Sequence, residues 1–206
     1  MVKFILVRHG ETAWNAERRI QGGGTDTPLS DYGRLQAEAL GLRLKNEKVQ
    51  AVYSSPLLRA LDTAQAIARH HLLEVTPLAE LKEINAGELE GISILELKVN
   101  LDEFICGADS QAAPLPGGES IYDVQKRSWE TIQKIANLLP DGVVVIVSHY
   151  FVILTIVCRV LGLPLSNIIH MRLSTGSVTV FTLGGQFGTR LELFNDISHN
   201  RQRDTG

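Results

Sequence analysis

Five consecutive β-branched apolar residues, Val143-Val144-Val145-Ile146-Val147, constrain the fold more than any other stretch. A strand without polar alternation has no face to offer water, so it belongs at the centre of a sheet covered on both sides. Lys3–Val7 is a second short apolar run, rich in β-formers, and reads as another strand. Helical patterns lie between the two. Leu35, Ala39 and Leu42 recur at helical spacing over about 31–46, behind Ser30 as N-cap. Leu57, Leu61, Ala64 and Ala68 share a face over about 57–70. Ile121, Val124, Ser128, Ile132, Ile135 and Leu139 follow Ser120-x-x-Asp123, which resembles a capping box. Another helix is predicted over about Tyr150–Leu161, and shorter strands over 51–54, 74–77, 177–183 and 190–193. Strands alternating with helices predict an α/β fold: a three-layer α/β/α sandwich with a mostly parallel central sheet.

Residues 9–29 read as a long loop, broken by Gly22-Gly23-Gly24 and Thr27-Pro28. The pattern weakens again from about 84 to 118, which reads as a variable helical and loop cap, helical over Ile94–Phe104 and loop over 107–118. The whole chain, 1–206, is expected to be one domain carrying that cap.

Charge excludes some functions. Twenty Lys and Arg against 23 Asp and Glu leave a net charge of −3, and no basic tract points to nucleic acid. Any attraction for an anion must be local. The stretch Val143–Val157 is interrupted by Ser148 and His149 and is too short to span a bilayer. The first residues lack a signal-peptide pattern, and Cys106 and Cys158 stand in no metal-ligand spacing. A cytoplasmic protein is expected.

Two strands end alike, in Val7-Arg8-His9 and in Val147-Ser148-His149. As parallel neighbours they would deliver both histidines to the carboxyl edge of the sheet, where ligands bind in open α/β folds. A third strand ends at Ser54, with Arg59 one helical turn beyond. Guanidinium groups fork onto phosphate oxygens, and a neutral imidazole among them can act as a nucleophile. An alcohol leaving group also needs a proton donor; Glu83 is the leading candidate, although taken alone it reads rather as a surface residue of the charged run Glu80-Lys82-Glu83. Gly22-Gly23-Gly24 could offer backbone N–H groups to an anion. No metal-site pattern is present, so no metal and no cofactor are expected.

Ordered blocks strengthen this reading: RHGETAWN (Arg8–Asn15), QGGGTDTPLSDYGRLQA (Gln21–Ala37), SSPLLRALDTA (Ser54–Ala64), LKEINAGELEG (Leu81–Gly91), PGGES (Pro116–Ser120) and VSH (Val147–His149). Together they resemble the histidine phosphatase superfamily, in its phosphoglycerate-mutase-like branch. The resemblance implies a phosphohistidine on His9. It implies Arg8, Arg59 and His149 on the phosphoryl oxygens, with Asn15 and the backbone at Gln21 and Gly22 assisting. Glu83 would be the general acid and then the general base. The chain departs from the family at Tyr150, where a glycine usually follows the second histidine. That side chain could narrow the site, bond the substrate, stack on a leaving group or pack inward with no role.

One such site supports two reactions. The segment Ile84–Gly118 holds only Lys98 as a basic residue, with Glu96, Asp102, Glu103 and Asp109 after Gly91, and it makes a poor cradle for a bisphosphate. Gln36-Ala37 also follows phosphatase members of the family. The expected function is therefore a metal-independent phosphomonoester hydrolase. Its partner would be a small phosphorylated metabolite: a sugar phosphate, a phosphoglycerate derivative or α-ribazole phosphate. A cofactor-dependent phosphoglycerate mutase and a non-catalytic phospho-ligand binder are the alternatives. Monomer and homodimer both remain open.

Overall fold

The structure, a computed structural model, describes residues 1–96, 114–186 and 188–200. Its elements in chain order are β1 (Val2–Arg8), α1 (Ala13–Ala16), α2 (Asp31–Leu44), β2 (Val49–Ser54), α3 (Leu58–Ala68), β3 (Val75–Pro77), α4 (Ile121–Leu138), β4 (Gly142–Ser148), α5 (Tyr150–Leu161), β5 (Val178–Leu183) and β6 (Arg190–Asp196). The six strands form one sheet in the order β3-β2-β4-β1-β5-β6. Its first four strands run parallel, while β5 pairs antiparallel with β1, and β6 pairs antiparallel with β5.

The two apolar runs lie next to each other at the centre, as strands apolar on both faces require. Side chains of a strand alternate between faces, and the core divides accordingly. Phe4, Leu6, Val144 and Ile146 pack with Val124, Ile132, Ile153 and Val157 of α4 and α5. Ile5, Val7, Val145 and Val147 pack on the other side with Leu40, Leu44, Ala60, Ala64 and Ile67 of α2 and α3. The result is three layers. Each fully buried aliphatic side chain contributes roughly 1.5–3 kcal/mol, so this double-sided strand pair is the most strongly held part of the molecule.

The face of α2 expected to be buried is not the one the core covers. Leu35 and Leu42 are 66% and 57% exposed. The buried side is Gly33, Gln36, Ala37, Leu40, Gly41 and Leu44. Small residues are there because α3 comes close: a Cβ on Gly41 would strike the Ala66 carbonyl. The loop expected over 9–29 contains the one-turn helix α1 and two isolated bridges, Thr12 to Leu29 and Arg19 to Ser93. The helix expected over Ile94–Phe104 begins as a 3-10 turn at Ile94–Glu96; the remainder, and Cys106, lie outside the described residues. Among the described residues, no helix is long and apolar enough to cross a membrane.

Candidate active site

Register sets the site. β1 and β4 pair in parallel with Arg8 opposite Ser148, so the next residue on each strand is a histidine at the same level. The two rings lie 5.0 Å apart between centroids, tilted by 58°. β2 pairs with β4 up to Ser54 opposite Val147, and the chain turns at Ser55-Pro56 into α3, which brings Arg59 to the same edge. The loop after β1 can lie against the first turn of α2 only because Gly10 and Gly33 face each other. A Cβ on either would collide with a backbone carbonyl across the gap.

His9 is buried, and its Nδ1 lies 2.7 Å from the carbonyl of Gly10. A carbonyl can only accept, so in the neutral ring Nδ1 carries the proton and Nε2 the free lone pair. The Gly10 N–H is in turn held by Thr63 Oγ1 at 3.1 Å, and Thr63 donates to the Arg59 carbonyl at 2.7 Å. Arg59 is fully buried and donates to the carbonyls of Thr25 at 2.8 Å and Gly22 at 3.1 Å. Arg8 donates to the Leu173 carbonyl, with its guanidinium 5.1 Å from the centre of the Tyr150 ring. The Nε atoms of Arg8 and Arg59 and both ring nitrogens of His149 are buried without a hydrogen-bond partner among the described residues. Unpaired buried polar atoms are costly; the two arginine Nε donors and the one N–H of a neutral His149, gathered at one edge with the guanidinium charges, form a set that suits a multivalent oxyanion and repels a cation.

Electrostatics follow from burial. His9 and His149 are held well below the ordinary histidine value, by desolvation first and the Arg59 charge second. Burial also lowers Arg8, to about 10, which leaves it a cation at neutral pH. Glu83, likewise buried, is pushed up by desolvation. Its oxygens accept the N–H of Ile84 at 2.9 Å and of Phe151 at 3.3 Å, and these bonds and the Arg59 and Arg8 charges oppose the rise.

These shifts give a stability signature. Below pH 6.5 the unfolded chain gains histidine protons that the folded one refuses, so stability falls as pH falls, by up to about 1.4 kcal/mol per pH unit for each imidazole. Glu83 acts in the opposite sense between 4.5 and its raised value. Urea midpoints are expected to decline below pH 6.5, and less steeply in His149→Phe. An unchanged slope in that variant would exclude His149 as a source.

A cavity of about 680 Å³ opens over this edge. Arg8, His9, Arg59, Glu83, Asn15, Gln21 and Tyr150 all line it. His149 is absent from its wall and meets the site through its ring contact with His9. Asn15 uses its Oδ1 in the capping box of α1 with Thr12. The Gln21 amide bridges Thr12 and Thr27. Gly22 enters through its carbonyl on Arg59, and the N–H groups of Gly23 and Gly24 bond Ile84 and Glu90, so those two do not offer an anion cradle. Tyr150 is part of the cavity wall, its hydroxyl donating to the Met171 carbonyl at 3.2 Å and its ring edge-on to Phe151.

Sequence reasoning missed several residues of this cavity. Arg18, Arg19 and Arg172 line its outer part. Arg18 and Arg19 stand just beyond the block that ends at Asn15, but only the folded chain shows that Arg172 joins them. Phe151 supplies a backbone donor that no side-chain pattern could announce.

Comparison with known proteins agrees with this architecture. The model of the Histidine phosphatase superfamily (branch 1) matches residues 4–197. Phosphoglycerate mutase-like protein 4 of Arabidopsis thaliana is 35% identical over 202 residues, covering 96% of this chain and 86% of its own. YhfR of Bacillus stearothermophilus superposes with a TM-score of 0.88 at 32% identity, covering 98% of this chain and 100% of its own. A mutant phosphoserine phosphatase from Entamoeba histolytica, in complex with phosphoserine, gives 0.87 at 31% identity, covering 97% and 99%.

Proposed function

Because the chain belongs to the histidine phosphatase superfamily, we propose that it is a phosphomonoester hydrolase working through a phosphohistidine on His9. The observation that carries this reading is the in-register ending of β1 and β4, which sets a neutral His9 beside His149 among two buried guanidinium groups. A phosphate dianion enters between Arg8 and Arg59, with Asn15 and His149 assisting. His9 Nε2 attacks phosphorus, the bond to the alcohol oxygen breaks, and Glu83 gives that oxygen its proton. Water then attacks the phosphohistidine. The phosphorus–nitrogen bond breaks, Glu83 accepts the proton, and inorganic phosphate leaves. Charge stabilisation and in-line placement carry phosphoryl transfer, and arginine supplies both here, so the reaction is proposed to need no metal.

The substrate class is a small phosphorylated metabolite. Cavity residues such as Ile20, Leu89, Leu115 and Phe151 suit a leaving group with an apolar part, and Arg172 suits one with an anionic part. A phosphoglycerate derivative or phosphoserine fits the second description; a sugar phosphate or α-ribazole phosphate fits the first. Residues 84–118 are proposed to act as the cap of a single domain. One observation favours a second reading, phosphoglycerate mutase: the basic residues missing from the cap segment are replaced at the cavity by Arg18, Arg19 and Arg172 from outside it.

The test is a panel of phosphate monoesters in EDTA, including 3-phosphoglycerate with and without 2,3-bisphosphoglycerate. Phosphate release is expected to exceed isomerisation, with one ester preferred. Isomerisation outrunning release would make the chain a mutase. Binding without turnover of any ester would make it a phospho-ligand binder.

A further inference from the structure

Glu83 stands on a thin partition. It lines the 680 Å³ cavity and also a second cavity of about 380 Å³, whose wall includes Gly23, Lys82, Asn85, Glu119 and Arg127. The segment that carries it, a 3-10 turn at Ala79–Leu81 followed by extended chain, belongs to no sheet. Space on both sides would let such a segment shift, and a shift of about 1 Å can cost on the order of 100-fold in rate.

Resting on the reading of Glu83 as the acid–base group, we propose that Arg127, with Glu119, is a positioning residue that fastens this partition from behind. From α4, Arg127 Nη1 donates to the carbonyl of Glu80, and Nη2 donates to the carbonyl of Glu83 at 3.2 Å. The same guanidinium grips Glu119 through Nε at 3.0 Å and Nη2 at 3.1 Å. Glu119 Oε2 then accepts the N–H of Asn85 at 2.8 Å. One planar fork thus holds the backbone at residues 80 and 83, and through a single carboxylate at residue 85. The carboxyl of Glu83 is left to its other donors, Ile84 and Phe151. Arg127 acts on where Glu83 stands. The charges that shift the Glu83 proton affinity are those of Arg59 and Arg8. A lysine presents its donors from one nitrogen and cannot span the same set of acceptors.

Leaving-group chemistry separates positioning from general damage. Glycerol 2-phosphate must have its departing oxygen protonated, whereas 2,4-dinitrophenyl phosphate departs as a stable phenolate and needs no acid. In Arg127→Met, kcat/KM for glycerol 2-phosphate is expected to fall about 10- to 100-fold, and for the dinitrophenyl ester less than about 3-fold. Arg127→Lys is expected to fall between wild type and Arg127→Met. The basic limb of the pH profile should keep its position while its height drops. Glu119→Gln, which keeps an acceptor for Asn85, is expected to show the same discrimination more weakly, and it serves as the readout should Arg127→Met fail to fold. Equal losses on both esters, or none on glycerol 2-phosphate, overturn the proposal. Glu83→Gln is measured alongside. If that variant discriminates and the Arg127 and Glu119 variants do not, only the positioning role fails. If Glu83→Gln does not discriminate, the acid–base reading fails and the positioning role with it.

Discussion

His9→Ala is expected to lower hydrolysis of every phosphomonoester by about 10,000-fold or more, as loss of a covalent nucleophile does elsewhere. Little else should change. Among the described residues the His9 side chain hydrogen-bonds the adjacent Gly10 carbonyl alone, and both arginines are anchored to other backbone carbonyls. The variant should therefore fold, and inorganic phosphate should still raise its melting temperature. Rapid acid-free quenching of wild type with a labelled ester should trap phosphate on the protein in an alkali-stable form, and the variant should trap none. Retention of a tenth of the activity would remove His9 from the role, and the ring of His149, 5.0 Å away, would become the next suspect.

Glu83→Gln is the second large effect. Its loss on alkyl phosphates is expected to be about 100- to 10,000-fold, the range for a removed general acid. The pH profile makes the assignment sharper. Productive complexes need His9 unprotonated and Glu83 protonated. His9 is lowered from 6.5, so its limb lies on the acid side and rate rises with pH there. Glu83 is raised from 4.5, so its limb is displaced upward from the usual carboxylate range, and rate falls as pH climbs through it. The two limbs belong to a coupled site and are read as a pair. Glutamine cannot deprotonate, so the variant should lose the descending limb and keep the rising one. A descending limb that survives intact would assign it to another group.

Much of this site could be read before any fold was known, for a physical reason. A strand buried on both faces announces itself by its composition. The residues just past its end must lie at the sheet edge, so His9 and His149 were placed by the apolar runs before them. Arg59 was legible because a short strand and a turn precede it. The reversed direction of β5 was not legible, since a strand's own residues do not record which way its neighbour runs. Neither was the buried face of α2. There the buried side sets Gly33, Ala37 and Gly41 beside Leu40 and Leu44, with Gly41 admitting α3, while Leu35 and Leu42 face outward, so those two leucines marked the wrong side. Arg127, Arg172 and the Phe151 N–H were beyond reach because their partners are backbone atoms or cavities assembled from distant segments. Charge counted along the cap alone left out Arg18, Arg19 and Arg172, which line the cavity from other segments.

The sheet order also decides when the site can exist during synthesis. β1 leaves the ribosome first, yet its neighbours are β4, which begins at Gly142, and β5, which ends at Leu183. At roughly 5–20 residues per second, β1 waits about 10–40 seconds for the second of them. For most of that interval a largely apolar strand has two open edges, and the histidine that follows it faces no partner. The nascent chain therefore spends most of its elongation as a client for whatever shields exposed strands. The paired histidines of the candidate site can come together only after β4, from Gly142 onward, has been made.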